Sequence, residues 1–264
     1  MLLSQILVEC EKLWPGFRAE SWDSPGLAVG NENSQISQIL FAVDVTLEVI
    51  DEAKRLGAEL IFSHHPAIFR GVSSLAESQA KGKLLSDAIR SDIALFSAHT
   101  NADVVNEGVS DVIARRLGLT GIEPLVATEA GIGHGRVGHL QSAITVLDLL
   151  ESLERVLPST ARGIATTAAL DTRIQKIALC GGAGDSFIEH AYASGADVFI
   201  TSDLRHHVAQ EAPLPLIDVS HWASESLWLE TAAAQLGAVC AGVEIVISDI
   251  VTDPWVFSTG RNVQ

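Results

Sequence analysis

Hydrophobic positions in the first half of the chain alternate between two spacings. The run QILFAVDV (38–45) is almost continuously apolar, which is typical of a buried strand, whereas TLEVIDEAKRLG (46–57) repeats apolar residues at helical spacing. Thr46 is suited to cap the start of that helix and Gly57 to end it. With the strand-like run AELIFS (58–63) that follows, the pattern predicts a β-α-β unit.

The same alternation recurs along most of the chain. Further helices are predicted at 83–91, 109–118, 143–157, from about 185, and at 222–237. Further strands are predicted at 92–98, 176–180, 197–201, 214–220 and 242–249. Strands that alternate with helices predict an α/β architecture with mostly parallel sheets.

One segment interrupts this alternation and suggests a boundary. Residues 121–142 contain five glycines and little periodicity, which indicates a change of subdomain or a long connection. A chain of 264 residues has room for two domains of ordinary size. We therefore predict a first lobe made of 1–125 with about 219–264, and a second lobe over about 126–218.

Composition and charge argue against several classes of partner and location. The formal net charge of -16 argues against nucleic acid as a partner, because binding to phosphate backbones depends on Lys and Arg. The first residues have no basic segment before their apolar run and include Glu9 and Glu11, which is unlike a secretory signal. No apolar run reaches the roughly 20 residues of a membrane helix. These features predict a cytoplasmic protein that does not bind membranes.

The cysteines do not form a recognisable motif. Cys10, Cys180 and Cys240 lie far apart and include no C-x-x-C pair, so neither a zinc ribbon nor a dithiol redox motif is present. They are interpreted as small buried hydrophobic residues. A metal site in this chain would therefore use nitrogen and oxygen ligands.

Three predicted strands end in potential metal ligands. Because ligands gather at the carboxyl ends of strands in open α/β sheets, these positions point to one kind of site. The candidates at the three strand ends are His64 and His65, then His99 and Asp103, then His221 and Glu225.

Each candidate also has an ordinary structural interpretation. In an isolated His-His pair such as His64 and His65, one ring more often packs while the other is solvated. His221 and Glu225, four apart on a helix, are more often an exposed hydrogen-bonded pair, and Asp103 most commonly caps a turn. Judged together, three histidines and two carboxylates form a sensible ligand set for two divalent metal ions.

Other polar residues near these strand ends are candidates for supporting roles. His99, Asp203 and His207 are placed to orient ligands, bind substrate or transfer protons. Asp44 is interpreted as a cap or a hydrogen-bonding partner, and His206 as a helix-surface residue.

A glycine-rich turn, Gly181–Gly184, follows a predicted strand. Its amides are candidates to hold an anion or to let a neighbouring segment approach closely. It lacks the Lys-Ser/Thr of a P-loop and the third glycine of a dinucleotide fingerprint. A tight turn without a ligand is therefore the favoured interpretation.

With these features assembled, the chain resembles the family of GTP cyclohydrolase type 2 homologues, also called Ngg-interacting-factor-like metalloproteins. The resemblance runs over nearly the whole chain. The motifs that carry it are WDSPGLAVG (22–30), AVDVT (42–46), SHHP (63–66), AHTNAD (98–103), CGGAGDSF (180–187), TSDLRHHVAQEA (201–212) and SHWASE (220–225).

The resemblance implies a fold, a site and an assembly. It implies two related α/β lobes with a dinuclear metal site in the cleft between them, most of its ligands on the first lobe, and a homohexamer built from dimers. The implied metal ligands are His64, His65, Asp103, His221 and Glu225. His99 and His207 match positions that line the cavity and are the candidate catalytic residues. At His206 the family often has tyrosine, so no role is assigned there.

The resemblance also implies an activity. The leading hypothesis is a hydrolase with two divalent ions per chain (Zn, Fe, Mn, Co or Ni) that acts on a small molecule, a nucleotide or related heterocycle, by GTP cyclohydrolase-type ring opening. The alternatives are a metal-binding, metal-delivery or regulatory protein without turnover, and an interaction scaffold with structural metals.

Overall fold

A computed structural model describes residues 1–259 of the chain. Within them the α-helices are α1 (Leu3–Leu13), α2 (Leu47–Leu56), α3 (Ala80–Arg90), α4 (Thr100–Asp103), α5 (Val109–Arg116), α6 (Val146–Val156), α7 (Ile188–Ala193), α8 (His206–Glu211) and α9 (His221–Val239). Short 3-10 helices cover Gly16–Arg18 and Asp185–Phe187. The strands are β1 (Gly26–Val29), β2 (Gln38–Ala42), β3 (Leu60–Ser63), β4 (Ala94–Ser97), β5 (Thr120–Glu129), β6 (Ile132–Thr145), β7 (Ala165–Thr166), β8 (Arg173–Ala183), β9 (Val198–Ser202), β10 (Leu216–Val219) and β11 (Glu244–Ile247).

The chain divides into two compact units, and each contains one sheet. Within the described residues, the first unit comprises 1–102 with 229–252, and the second comprises 103–228 with 253–259. The second unit thus begins before the predicted boundary at 126 and extends past 218. It begins early because α5 packs on β6 and β8, and because β5 pairs with β6, so that both elements belong with the second sheet.

The first sheet has the order β1-β4-β3-β2-β11. Its inner pairings are parallel and only the edge strand β1 runs antiparallel, to β4. This arrangement matches the prediction of a mostly parallel sheet with helical connections. Apolar residues of β2, β3 and β4 pack against α2 and α3 in a core that includes Leu40, Ile61 and Leu95.

The ends of α2 show how sequence determines an element locally. The Thr46 hydroxyl accepts a hydrogen bond from the Val49 amide at 3.3 Å, as its capping position predicts. Gly57 ends the helix with φ +77°, a left-handed conformation that glycine adopts without strain. Both ends of α2 therefore lie where the sequence predicts them.

The second sheet has the order β5-β6-β8-β9-β10-β7 and is mixed. β8, β9 and β10 pair in parallel, whereas β5 with β6, β6 with β8, and β10 with β7 pair antiparallel. Parallel pairing is therefore less prevalent here than the sequence pattern predicted.

The source of this difference is the segment 121–142. It was predicted to be a boundary or a long connection, but it forms most of the β5–β6 hairpin. Gly131 lies in the turn of the hairpin, whereas Gly133 and Gly135 lie inside β6, where other backbone segments approach closely. A Cβ at Gly133 would lie 2.1 Å from the Val126 carbonyl oxygen, and one at Gly135 would lie 2.8 Å from the Leu179 carbonyl oxygen. Glycines that usually signal turns are here required by packing.

None of the helices formed by residues 1–259 combines the length and the apolar character needed to cross a membrane.

Candidate metal centre

The register of the first sheet brings its candidate residues to one edge. Ser63 at the end of β3 is level with Ser97 at the end of β4, and with Ala42 at the end of β2. His64 and His65 follow β3, and His99 follows β4 by two residues. Since parallel strands end at the same edge of a sheet, the three imidazoles lie close together.

The three imidazole rings form one cluster. The ring centroids lie 5.1 Å apart for His64 and His65, and 5.2 Å apart for each of these with His99. One ligand nitrogen from each residue falls within 4.8 Å of the other two. His64 is fully buried, whereas His65 and His99 are half-buried.

His64 and His65 are held by hydrogen bonds at Nδ1. His64 Nδ1 donates to the Ala98 carbonyl oxygen at 3.0 Å, and His65 Nδ1 donates to the Asp44 carboxylate at 2.7 Å. The other Asp44 oxygen accepts from the Thr252 hydroxyl at 2.5 Å. Because these acceptors fix the proton on Nδ1, Nε2 of each neutral ring keeps its lone pair, which is the form that binds a metal.

His99 is held in the same way by a more extensive network. Its Nδ1 donates to Asp23 Oδ1 at 2.8 Å, while the Thr100 amide and hydroxyl donate to Asp23 Oδ2 at 3.1 and 2.6 Å. Burial by itself raises the pKa of Asp23, but the hydrogen bonds from His99 and Thr100 outweigh it and lower the pKa to about 2. Asp23 is therefore ionised at neutral pH and orients the imidazole.

The second unit uses the same arrangement on its own sheet. Val219 at the end of β10 is level with Ser202 at the end of β9. His221 and Asp203 lie just beyond these ends, and His221 Nδ1 donates to Asp203 Oδ2 at 2.7 Å. This hydrogen bond holds the pKa of Asp203 below its usual range. Each unit therefore has an aspartate after one parallel strand that orients a histidine after the next.

His221 and Glu225 face each other on the first turns of α9. His221 Nε2 lies 2.9 Å from Glu225 Oε1, as expected for residues four apart on a helix. Glu225 is only 4% exposed. A carboxylate this deeply buried needs a compensating positive charge or hydrogen-bond donors. The pair therefore differs from the exposed helix-surface pair that the spacing alone suggests.

The glycine-rich turn packs directly against this pair. A Cβ at Gly182 would lie 2.5 Å from Glu225 Oε1 and 3.4 Å from His221 Nε2, and Gly182 has φ +66°. The amides of Gly181, Gly182 and Gly184 donate to the hydroxyls of Ser110, Ser224 and Thr201, respectively. The glycine at 182 thus lets the turn pack closely against Glu225. The three amides donate to hydroxyls of the protein and not to an anion.

The remaining candidates have less defined surroundings. Asp103 is the last residue of α4 and is half-buried. His206 and His207 are exposed at the start of α8, with ring centroids 5.2 Å apart. Cys10 and Cys240 are buried, whereas Cys180 is half-buried.

Asp23 is a site residue that reasoning from the pattern did not select. It lies before β1, far in sequence from the histidine that it holds. The available signal was its position in the motif WDSPGLAVG. That motif was used only to recognise the family resemblance, and no role was assigned to its aspartate.

Comparison with known proteins gives a consistent result. Residues 1–254 match the model of the family described as Duf34/NIF3 (NGG1p interacting factor 3). A Streptomyces coelicolor protein named GTP cyclohydrolase 1 type 2 homolog is 42% identical, over 96% of this chain and 93% of that protein. A Clostridium perfringens protein of the same name is 35% identical, over 97% of this chain and 100% of that protein.

Solved structures share the fold. A Bacillus cereus protein related to NIF3 superposes with a TM-score of 0.91 at 26% identity, covering 98% of this chain and 99% of that one. HcgD from Methanocaldococcus jannaschii, solved in its reduced form, superposes with a TM-score of 0.80 at 28% identity, covering 95% of this chain and 98% of that one.

Proposed function

The chain belongs to the Duf34/NIF3 family, and we propose that it is a metal-dependent hydrolase that acts on a nucleotide or a related heterocycle. The observation that carries this proposal is the adjacent pair His64 and His65, in which an acceptor holds each Nδ1, with His99 oriented in the same way beside them. Clustered histidines oriented through Nδ1 are the usual arrangement of imidazoles that bind metals through Nε2.

The donor set suits borderline divalent ions. Imidazole nitrogens and carboxylate oxygens bind Zn, Fe, Mn, Co and Ni. We assign the ligand roles to His64, His65, Asp103, His221 and Glu225, for two ions per chain. Bound ions of this kind supply an activated water nucleophile and polarise the substrate as Lewis acids.

The protein's own residues have positioning roles around these ligands. Asp44 and Asp203 each hold one ring through Nδ1, so that only Nε2 is offered. His99 is assigned to proton transfer, because the Asp23 carboxylate stabilises the imidazolium that forms when Nε2 accepts a proton. His207, exposed on α8, is assigned a second role in proton transfer or substrate binding.

The proposed substrate is a purine nucleotide, with hydrolytic opening of the imidazole ring of GTP as the first reaction to test. The name of the Streptomyces coelicolor and Clostridium perfringens relatives supports this choice. Assembly as a homohexamer and a cytoplasmic location stay predictions, and light scattering of the purified protein measures the first.

The test combines elemental analysis with a GTP turnover assay monitored by mass spectrometry. We expect about two transition metals per chain and a ring-opened product. His64→Ala and Glu225→Ala should lose metal and turnover, whereas His139→Ala, which removes an exposed histidine of β6, should keep both. Metals with unchanged GTP, together with transfer of metal to an acceptor protein, would instead support metal delivery.

A separate variant tests the role of His99. We expect His99→Ala to keep its metal content and to lose at least about 100-fold in turnover, the usual contribution of a general acid or base. Loss of metal from His99→Ala would show that this residue is a ligand rather than a proton-transfer group.

A further inference from the structure

Two exposed aromatic side chains flank His99 in the first unit. Trp22 is 58% exposed and Phe69 is 44% exposed. Their rings meet the His99 imidazole edge-on, with centroids 6.2 and 5.9 Å away, and lie 5.8 Å from each other at an angle of 63°. Large aromatic side chains left open beside a functional residue are typical of binding surfaces.

We propose that Trp22 and Phe69 form a stacking platform for the heteroaromatic ring of a purine nucleoside or nucleotide. The proposal rests on the proposed function, because it takes His99 to belong to the reactive centre. It adds the two residues that select the substrate by the shape of its ring.

Trp22 is attached to a well-anchored segment. The next residue, Asp23, has a fully buried side chain that accepts hydrogen bonds from His99 and from Thr100. The Asp23 amide also donates to the Glu20 carbonyl oxygen at 2.9 Å. The residue that orients His99 therefore also fixes the backbone that carries the indole, so stacking and catalysis share one support.

Phe69 is anchored from the other side of the cluster. It follows His65 by four residues, and the intervening Ile68 packs against the core of the first unit. Lys81 of α3 donates to the Ala67 carbonyl oxygen at 2.7 Å and ties this loop to the helix. Trp22 precedes the aspartate that holds His99, and Phe69 lies in the loop that follows His65. Both rings are thus held by anchored segments, which lowers the entropic cost of binding.

The chemistry of the two rings favours a flat heterocycle over other ligands. The two rings lie at 63° to each other, and aromatic groups bind a further ring through stacked or edge-to-face contacts. Stacking does not depend on positive charge, which suits a chain of net charge -16. Stacking of one base on an aromatic side chain contributes about 5- to 150-fold in affinity.

The experiment measures binding by isothermal titration calorimetry to the metal-loaded protein. The probes are guanosine, GTP and inorganic triphosphate, and the variants are Trp22→Ala, Trp22→Phe and Phe69→Ala. Trp255→Ala is the matched control, because Trp255 is 54% exposed but lies in the second unit. Metal content and oligomeric mass are measured for each variant.

We expect Trp22→Ala and Phe69→Ala to weaken guanosine and GTP by a similar factor, about tenfold or more, with metal content unchanged. Trp22→Phe should retain most of the affinity, and triphosphate binding should not change. The platform is ruled out if the wild type binds no guanosine, or if Trp22→Ala binds it as tightly as Trp255→Ala does. It is equally ruled out if Trp22→Ala changes only the oligomeric mass, since the rings would then cover a second copy of the chain.

The outcomes also separate this inference from the proposed function. Guanosine binding that depends on Trp22, without any GTP turnover, would keep the platform and reject the reaction. GTP turnover with an unchanged KM in Trp22→Ala would keep the reaction and reject the platform.

Discussion

An aspartate and a histidine that are distant in sequence form the recurring residue-scale feature of this protein. Asp44 with His65 and Asp203 with His221 each form a 2.7 Å hydrogen bond between residues that follow neighbouring parallel strands. Sequence reasoning treated Asp44 as a cap or a hydrogen-bonding partner, and Asp203 as a group that orients ligands, binds substrate or transfers protons. It could not pair either with its histidine, because the pairing depends on strand order and register.

The first residue-scale prediction concerns Gly182→Ala. The added Cβ would lie 2.5 Å from Glu225 Oε1, and φ at this residue is +66°. We expect a loss of about 1 to 2 kcal/mol in the free energy of unfolding from backbone strain, and a fall in metal content because the carboxylate is displaced. Denaturant unfolding and elemental analysis measure the two effects.

Gly195→Ala is the control for this variant. Gly195 has φ +72°, and no atom lies within 4 Å of a Cβ placed there, so its substitution brings the same strain without the clash. Equal metal content in the two variants would show that Gly182 does not position Glu225.

The second residue-scale prediction concerns Asp111→Asn. Asp111 pairs with Arg136, and the two side chains are 4% and 2% exposed. Burial raises the pKa of Asp111, but the hydrogen bond from Arg115, the Glu107 amide and the Arg136 charge together lower it. Because Arg136 keeps bonds to backbone carbonyls, we expect a loss of about 3 kcal/mol at pH 7, the lower end for breaking a buried pair.

The effect of Asp111→Asn should depend on pH in a defined direction. A carboxylate whose pKa is lower in the folded state stabilises the fold above its unfolded pKa of about 3.9, and this stabilisation is lost as pH falls through the folded pKa. The difference between wild type and variant in urea unfolding should therefore shrink below about pH 4. Asp51→Asn, at an exposed aspartate, should cost less than about 0.5 kcal/mol, and a similar cost for Asp111→Asn would contradict the prediction.

At the scale of elements, most helices and strands could be predicted because their signals are local. Apolar spacing located α2, α5 and the core of α9, and capping residues located the ends of α2. The β5–β6 hairpin was missed because Gly133 and Gly135 are required by contacts with Val126 and Leu179. The sequence shows that a glycine is present, but it does not show whether a turn or a crowded strand requires it.

The element-scale prediction concerns the start of α6. Thr145 accepts a hydrogen bond from the Asp148 amide at 3.1 Å, while the Thr145 amide donates to the Asp148 carboxylate at 2.9 Å. Thr145→Ala removes the hydroxyl and should cost about 1 kcal/mol in thermal or denaturant unfolding. Thr145→Ser keeps the hydroxyl and should change the free energy of unfolding by only about 0.3 kcal/mol. Equal losses in both variants would assign the effect to the methyl group.

At the scale of the whole molecule, bound metal should stabilise the fold. A divalent ion present at 100 times its Kd contributes about 2.7 kcal/mol to the free energy of unfolding. Relative to chelator-treated protein, this should raise Tm by about 5 to 10 °C. Scanning calorimetry after chelation, and again after metal is restored, measures the shift.

His65 and His221 connect this thermal shift to the proposed ligand residues. If each is a ligand, His65→Ala and His221→Ala should each reduce the metal-dependent shift in Tm. A full shift in either variant would show that the substituted histidine is not a ligand.

The sequence by itself determined the α/β class and the family, and it proposed the candidate ligands, because periodicity, caps and short motifs are encoded locally. Only the tertiary structure decided which groups meet. Asp23 lies 76 residues from His99, and Thr252 lies 208 residues from Asp44, yet each pair is in hydrogen-bonding contact. The mixed second sheet was decided in the same way, since strand pairing and close approach arise from packing between distant segments.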